Sequence, residues 1–299
     1  MIAADLYKRP TVGLATIKRE VAMIDKRVED VVRAVGRQTH VPVKIVHAVV
    51  RRVLPSIRLV PQFPREPEAS RLGGCRIGGV PDLPQGVKWP RLSTKGRSAV
   101  EGAPLSFLLQ VNLAEVAFAD LGQLLPKSGM VYFFFHLDEA GVEDVPAVLF
   151  AEGTELHRAT VPRDLPPDQL YGGFDLLAKL EWTVPLPGDL GLADHLELWD
   201  ELEDRVAAVQ GYESPRTYGR GWAVHRLLGH AQFIQGDGMG QAERLLLQIS
   251  SDAGLSGEGY PESGIGATWH DAGRIHYIIS EEALKQRRFA ETFVSVECA

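Results

Sequence analysis

The residues best equipped for chemistry gather in the last third of the chain. His225, His230, His270 and His276 lie there with Asp237 and Asp271, a set that can bind a metal or exchange protons if folding brings it together. Their spacing supports neither role. His225 and His230 are five residues apart, which puts them on opposite faces of a strand, and the chain has no His-x-x-x-His or Cys-x-x-Cys. A Gly-x-Ser-x-Gly elbow is also missing, and Cys75 has no neighbouring base in sequence to lower its pKa. The glycines between Ser70 and Pro90 are followed by Pro81 and Pro84 rather than Gly-Lys-Ser/Thr, so they read as a tight entry to a sheet and not as a phosphate loop. Gly236 to Gly240 reads as a turn. No cofactor is expected.

A second set of polar residues is tied to an internal echo. Pro104–Leu113, PLSFLLQVNL, returns as Arg244–Ser250, RLLLQIS. Upstream stand Arg71-Leu72-Gly73-Gly74 and Arg226-Leu227-Leu228-Gly229; downstream, Gly129 and Gly273 each open an apolar strand that ends in acids. Three blocks in the same order indicate a diverged duplication. Gln110 and Gln248 each interrupt an apolar run, and a buried amide needs hydrogen-bond partners. We read both as tying down backbone. The competing reading is a ligand pocket between the repeats, with Arg71, Gln110, Asn112, Arg226, His230, Gln248 and Asp271 as its polar groups.

These residues need a scaffold, and the chain can supply one. At 299 residues, 45% hydrophobic and 24% charged, it can bury a sizeable core. Its charge of −7 argues against a general nucleic-acid binder. Two cysteines and the lack of a signal-type or membrane-spanning apolar run point to the cytoplasm.

Charge is unevenly distributed. Residues 1–66 hold 13 basic and 6 acidic side chains, a net of +7, and the remainder holds 19 against 33, a net of −14. Residues 1–60 read as a helical arm. Leu14, Ile17, Val21, Ile24, Val28, Val31 and Val35 recur at helical spacing, and a second apolar-basic stretch runs from Val43 to Leu54, ended by Pro55. Core packing is the preferred role for this arm, ahead of a partner surface or contact of residues 10–54 with a membrane. Residues 61–69 read as a proline-rich linker. The main domain is 70–299, with repeat one at 70–184, an acidic insert at 185–214 and repeat two at 225–298. The insert carries an amphipathic helix over 192–209, whose acidic face is expected to dock on the basic arm.

Five motifs in order resemble a known family. They are Gly-Gly-x-Pro-x-Leu-Pro-x-Gly-x-x-Trp-Pro (78–90), Pro-Leu-x-Phe-Leu-x-Gln-x-Asn-Leu (104–113), His-x-Leu-Leu-Gly (225–229), Leu-Leu-Leu-Gln-Ile (245–249) and Trp-x-Asp-x-Gly (269–273). Together they resemble the YwqG-like family, a bacterial domain of unknown function, over about residues 68–299. The resemblance implies an α+β fold with a pseudo-duplicated, mostly antiparallel sheet, to which the N-terminal helical extension is added. It implies no activity, so no catalytic residue carries over. The reading is therefore a cytoplasmic, non-enzymatic binding or protein-interaction module. The arm or the acidic helix would be its contact, by analogy with bacterial immunity proteins. The alternative is a small-molecule-binding protein or enzyme using the pocket between the repeats.

Overall fold

The computed structural model describes residues 25–62, 71–92, 101–136, 145–153, 155–186, 196–212, 224–234, 239–240, 242–252, 265–269 and 272–297, with backbone alone for 196–200. Its strands are β1 (Leu54–Pro61), β2 (Arg76–Ile77), β3 (Asp82–Pro84), β4 (Ser106–Asn112), β5 (Met130–His136), β6 (Val145–Ala151), β7 (Leu156–Arg158), β8 (Phe174–Thr183), β9 (His225–Leu227), β10 (Glu243–Ser250), β11 (Arg274–Ser280) and β12 (Phe293–Glu297), of which β5 is buried at all but its last residue, as a strand covered on both faces is. Ten of them form one antiparallel sheet in the order β12-β11-β10-β9-β1-β8-β2-β4-β5-β6. The remaining two, β3 and β7, pair with each other. The expected antiparallel α+β character is thus observed. Strands β6 and β7, consecutive in sequence, do not pair with each other: β6 pairs with β5 and β7 crosses to β3.

The sheet curls until its end strands β6 and β12 approach each other, a near-barrel. Ile57, Ile77, Leu109, Phe133, Leu227, Leu247, Ile275 and Tyr277 fill its inner side. The two halves meet there: the Phe133 and Tyr277 rings stand 5.2 Å apart, edge to face, and the Tyr277 hydroxyl donates to the Phe134 carbonyl at 3.0 Å.

Strand β1 is the main departure from expectation. Residues 54–61, assigned from the sequence to the arm and the start of the linker, run through the centre of the sheet. They pair with β8 along all eight residues and with β9 over Ile57–Leu59. Pro55 and Pro61 disguised the strand. They are tolerated because β9 does not reach them, so each lies where β1 has one neighbour only. The sequence reading also passed over β8, although Phe174, Leu176, Ala178, Leu180 and Trp182 alternate with residues that, Leu177 apart, are polar.

Before β1 come α1 (Lys26–Gln38) and α2 (Val43–Val50). Asp25 caps α1 by accepting from the Arg27 amide at 2.8 Å. Three shorter or later helices are α3 (Leu113–Val116), α4 (Leu196–Val209) and α5 (Glu281–Lys285). The acidic helix, α4, does meet the arm, but through apolar faces. Val28, Val32 and Val35 of α1, Val46 and Val49 of α2, and Leu202 and Val206 of α4 form one cluster with Trp182 and Val184. The ion pairs Lys26–Asp30, Arg33–Glu29 and Arg205–Glu201 each lie within a single helix and contribute little at such exposed positions. The part of the arm before Asp25 lies outside the described residues. Urea denaturation distinguishes the two contributions. Val32→Asp should cost about 3 kcal/mol or more by burying an unpaired carboxylate, whereas Arg33→Ala should cost about 0.5 kcal/mol or less.

Candidate functional site

Residues directly opposite across strands share a face of the sheet. On the face away from the inner core this brings together Arg76, Gln110 and Tyr132 in one half, and Arg58, Arg226, Gln248 and His276 in the other. Every one of them is buried, so each must find partners within the protein.

The two halves solve this in the same way. Gln110 accepts from the Asp82 amide at 2.7 Å and donates to the Gly74 carbonyl at 2.8 Å and to Asp82 Oδ2 at 2.9 Å. Gln248 accepts from the Gln232 amide at 2.8 Å and donates to the Val224 carbonyl at 3.3 Å and to Gln232 Oε1 at 3.1 Å. Arg76 donates to the Val80 carbonyl at 3.0 Å and Arg226 to the His230 carbonyl at 3.2 Å, each four residues on. Between arginine and clamp the chain takes two residues with positive φ, Gly78 and Gly79 in one half, Leu228 and Gly229 in the other. A Cβ on Gly78 would stand 2.1 Å from the Gly172 oxygen, and one on Gly229 would stand 2.7 Å from Ser56 Cβ, so close backbone approach requires glycine at both.

This register corrects the sequence alignment. The counterpart of Arg226 is Arg76, not Arg71. The run Ser70–Gly79 contains Arg-Leu-Gly-Gly and Arg-Ile-Gly-Gly five residues apart, and strand pairing alone selects the second. Arg71 is an exposed residue paired with Glu115, in the opposite half from Arg226. Asn112 holds the Gly73 carbonyl at 2.8 Å and caps α3 through the Ala114 amide at 3.1 Å. The His230 amide donates to Thr183 Oγ1 at 2.9 Å, and its Nε2 lies 2.6 Å from the Arg52 carbonyl. Since a carbonyl only accepts, that nitrogen carries the proton. Asp271, with His270 and Asp237, lies outside the described residues. Of the polar groups named for a pocket between the repeats, Gln110, Asn112, Arg226, His230 and Gln248 thus each bond the protein's own backbone.

Where the halves join, Arg58 and Arg226 share the Glu181 carboxylate at 3.3 and 3.2 Å, and the Arg58 guanidinium lies 5.2 Å over the Tyr212 ring. Burial pulls the Arg58 pKa below its ordinary value despite Glu181. The adjoining cavity, lined by Arg58, Glu181, Arg226, Glu203, His230 and Gln232 among others, holds about 20 Å³, room for a water and not for a substrate. In the same face His276 stacks on Phe233 with ring centres 4.5 Å apart, and Glu297 is 3.8 Å from its Nδ1. Burial, with Arg274 and Arg226 nearby, pushes its pKa down to about 3. It is neutral at physiological pH and too weak a base for acid–base work there. Burial likewise pushes the Cys75 thiol up to about 11, which removes it as a nucleophile. Among the described residues no three His, Cys, Asp or Glu converge on a metal position.

The sequence reading missed the larger concavity. Past the end of β4, Leu113, Val116, Ala117, Phe118, Leu121, Leu125 and Pro126 line a hollow of about 450 Å³. Phe118 is 61% exposed. Asp120 sets the loop by accepting from the Leu124 and Leu125 amides at 3.1 and 2.8 Å. The signal was an unusually apolar loop, seven of the fourteen residues from Leu113 to Pro126 being Leu, Val, Phe or Pro and four more alanine or glycine.

Two substitutions test the structural reading. Gln248→Leu strands the Gln232 amide and removes the donor to Gln232 Oε1, and calorimetry or urea titration should show a loss of about 2–4 kcal/mol. His276→Gln tests the buried imidazole. The unfolded chain takes up a proton below about pH 6.5 while the folded one waits until about 3. Wild-type stability is therefore retained above pH 6.5 and lost as pH falls toward 3, at about 1.4 kcal/mol per pH unit. The variant should lose about 2 kcal/mol less than wild type between pH 6.5 and 5.

No curated protein matches the chain. A family model described as "Domain of unknown function (DUF1963)" matches residues 75–298, which takes in both clamps and the hollow and leaves out α1, α2 and β1. The chain belongs to this family of domains of unknown function, DUF1963.

Proposed function

We propose that the protein is a non-enzymatic interaction module and that the hollow at 113–127 is its contact surface. The observation that carries this reading is where the polar groups go. Gln110, Asn112, Arg226, His230 and Gln248 are spent on the protein's own backbone, while the larger described concavity is mostly apolar, with Asp120, Gln123 and Lys127 as its polar lining, and carries an exposed aromatic ring. Aromatic residues at the centre of a patch commonly anchor a partner. The apolar faces of α1 and α4 cover each other, which moves the proposed contact from those helices to the hollow. A volume of about 450 Å³ also suits a small apolar ligand, and that is the second reading.

The finer identity as YwqG-like, a bacterial and cytoplasmic setting, and an origin by duplication are part of the same proposal. The matched offsets of the two clamps support the duplication. A photo-crosslinking residue at Phe118, compared with one at exposed Leu177, tests the contact in the native host. A discrete adduct at 118 alone, abolished by Leu121→Asp, is expected. Equal labelling at both positions would remove the support for a protein partner, and native mass spectrometry of the same preparation would reveal a bound small molecule.

A further inference from the structure

The region matched by the family model is interrupted at its centre. Strands β8 and β9 both belong to it, yet they do not pair with each other. Strand β1 lies between them and comes from outside the matched residues. Without β1 the sheet divides into β8-β2-β4-β5-β6 and β9-β10-β11-β12. The two parts nevertheless remain in contact on the inner side through Phe133 with Tyr277 and Phe135 with Trp269. A gap of one strand's width is therefore framed by contacts that do not involve β1.

We infer that this gap is a strand-binding groove and that residues 54–61 are its tethered occupant, a peptide ligand supplied in cis. The inference does not rest on the hollow. The groove has the features of peptide recognition by strand addition, in which backbone pairing supplies affinity and alternate side chains supply specificity. Backbone pairing runs along the whole of β1, Leu54–Pro61 against Leu176–Thr183 of β8. Ile57 and Leu59 enter the inner core, and Ser56 Oγ donates to the Leu227 carbonyl at 3.1 Å. Arg58 reaches Glu181 at 3.3 Å. The Glu181 carboxylate also holds Arg226 at 3.2 Å, so it is a fixed receptor on the family domain for a cation at this position of the entering strand. Gly229 sets the depth: a Cβ there would meet Ser56 Cβ at 2.7 Å. The groove thus fits an extended segment with apolar residues at alternate positions, an arginine between them and a small residue two places before the arginine.

A cut in the full-length protein tests this. A protease site placed within residues 63–70 allows the chain to be folded intact and then cleaved. If β1 is a bound ligand, the melting temperature of the cleaved protein falls, becomes dependent on concentration, and rises by several degrees with an excess of synthetic peptide 25–62, by mass action. The same peptide carrying Leu59→Asp, with α1 and α2 intact, should give no rise, and one with Arg58→Ala should need at least tenfold more. A melting temperature unchanged by the cut, independent of concentration and indifferent to peptide would overturn the inference. So would equal rescue by the Leu59→Asp peptide, since the helices alone would then account for binding. Substitution of Phe118 should leave every one of these results unchanged.

Discussion

Covering the outer face of a sheet removes it from water, and each polar group on that face must then be paired. A buried unpaired amide or carbonyl costs about 1–3 kcal/mol, and a buried unpaired charge costs more. Much of this structure follows from that constraint. The segments that cover β2-β4 and β9-β10 turn back over the sheet as irregular loops, which bring backbone groups into the interior without a ladder to satisfy them. Gln110 and Gln248 serve as substitute ladders, one accepting and two donating bonds each. The arginines at 76 and 226 hold the next carbonyl along. At the junction, where a third arginine enters on β1, Glu181 serves two cations with one oxygen.

That arrangement explains why some of the architecture was legible and some was not. The strands at 106–112, 130–136 and 274–280 were recognisable because they are apolar on both faces, as strands covered on both sides are. The glutamine in each echo stood out against that background, and its structural role was readable from chemistry alone. The matching arginine was not, because Ser70–Gly79 holds two nearly identical runs and register is a long-range property. Strand β1 was hidden by its two prolines, whose local preference for turns and linkers was overridden by a pairing pattern that the sequence does not display. The hollow was hidden for a different reason. It is formed by a loop whose shape depends on the Asp120 side chain bonding two amides, and nothing in residue spacing announces that bond.

The same physics separates function from scaffold. A polar residue in an apolar strand is a fair candidate for a ligand site until its partners are known. Here Gln110, Asn112, Arg226, His230 and Gln248 each bond the protein's own backbone, His276 is held neutral and Cys75 is held as a thiol. Among the described residues, the hollow beside exposed Phe118 is the larger of the two concavities described above. The arm is more than a decoration on this domain. Its helices share a core with α4, and its strand joins the two halves of the sheet between Glu181 and Leu227.

The central claim is that residues 54–61 are an integral strand at the middle of the sheet, and native-state amide hydrogen exchange on the intact chain tests it most directly. The amides of Ile57 to Leu59, flanked on both sides, should be protected as paired strand, far above the level of exposed loops, as those of β4 and β10 are. Exchange of these amides at the rate of exposed loops, with β4 and β10 still protected, would contradict the account.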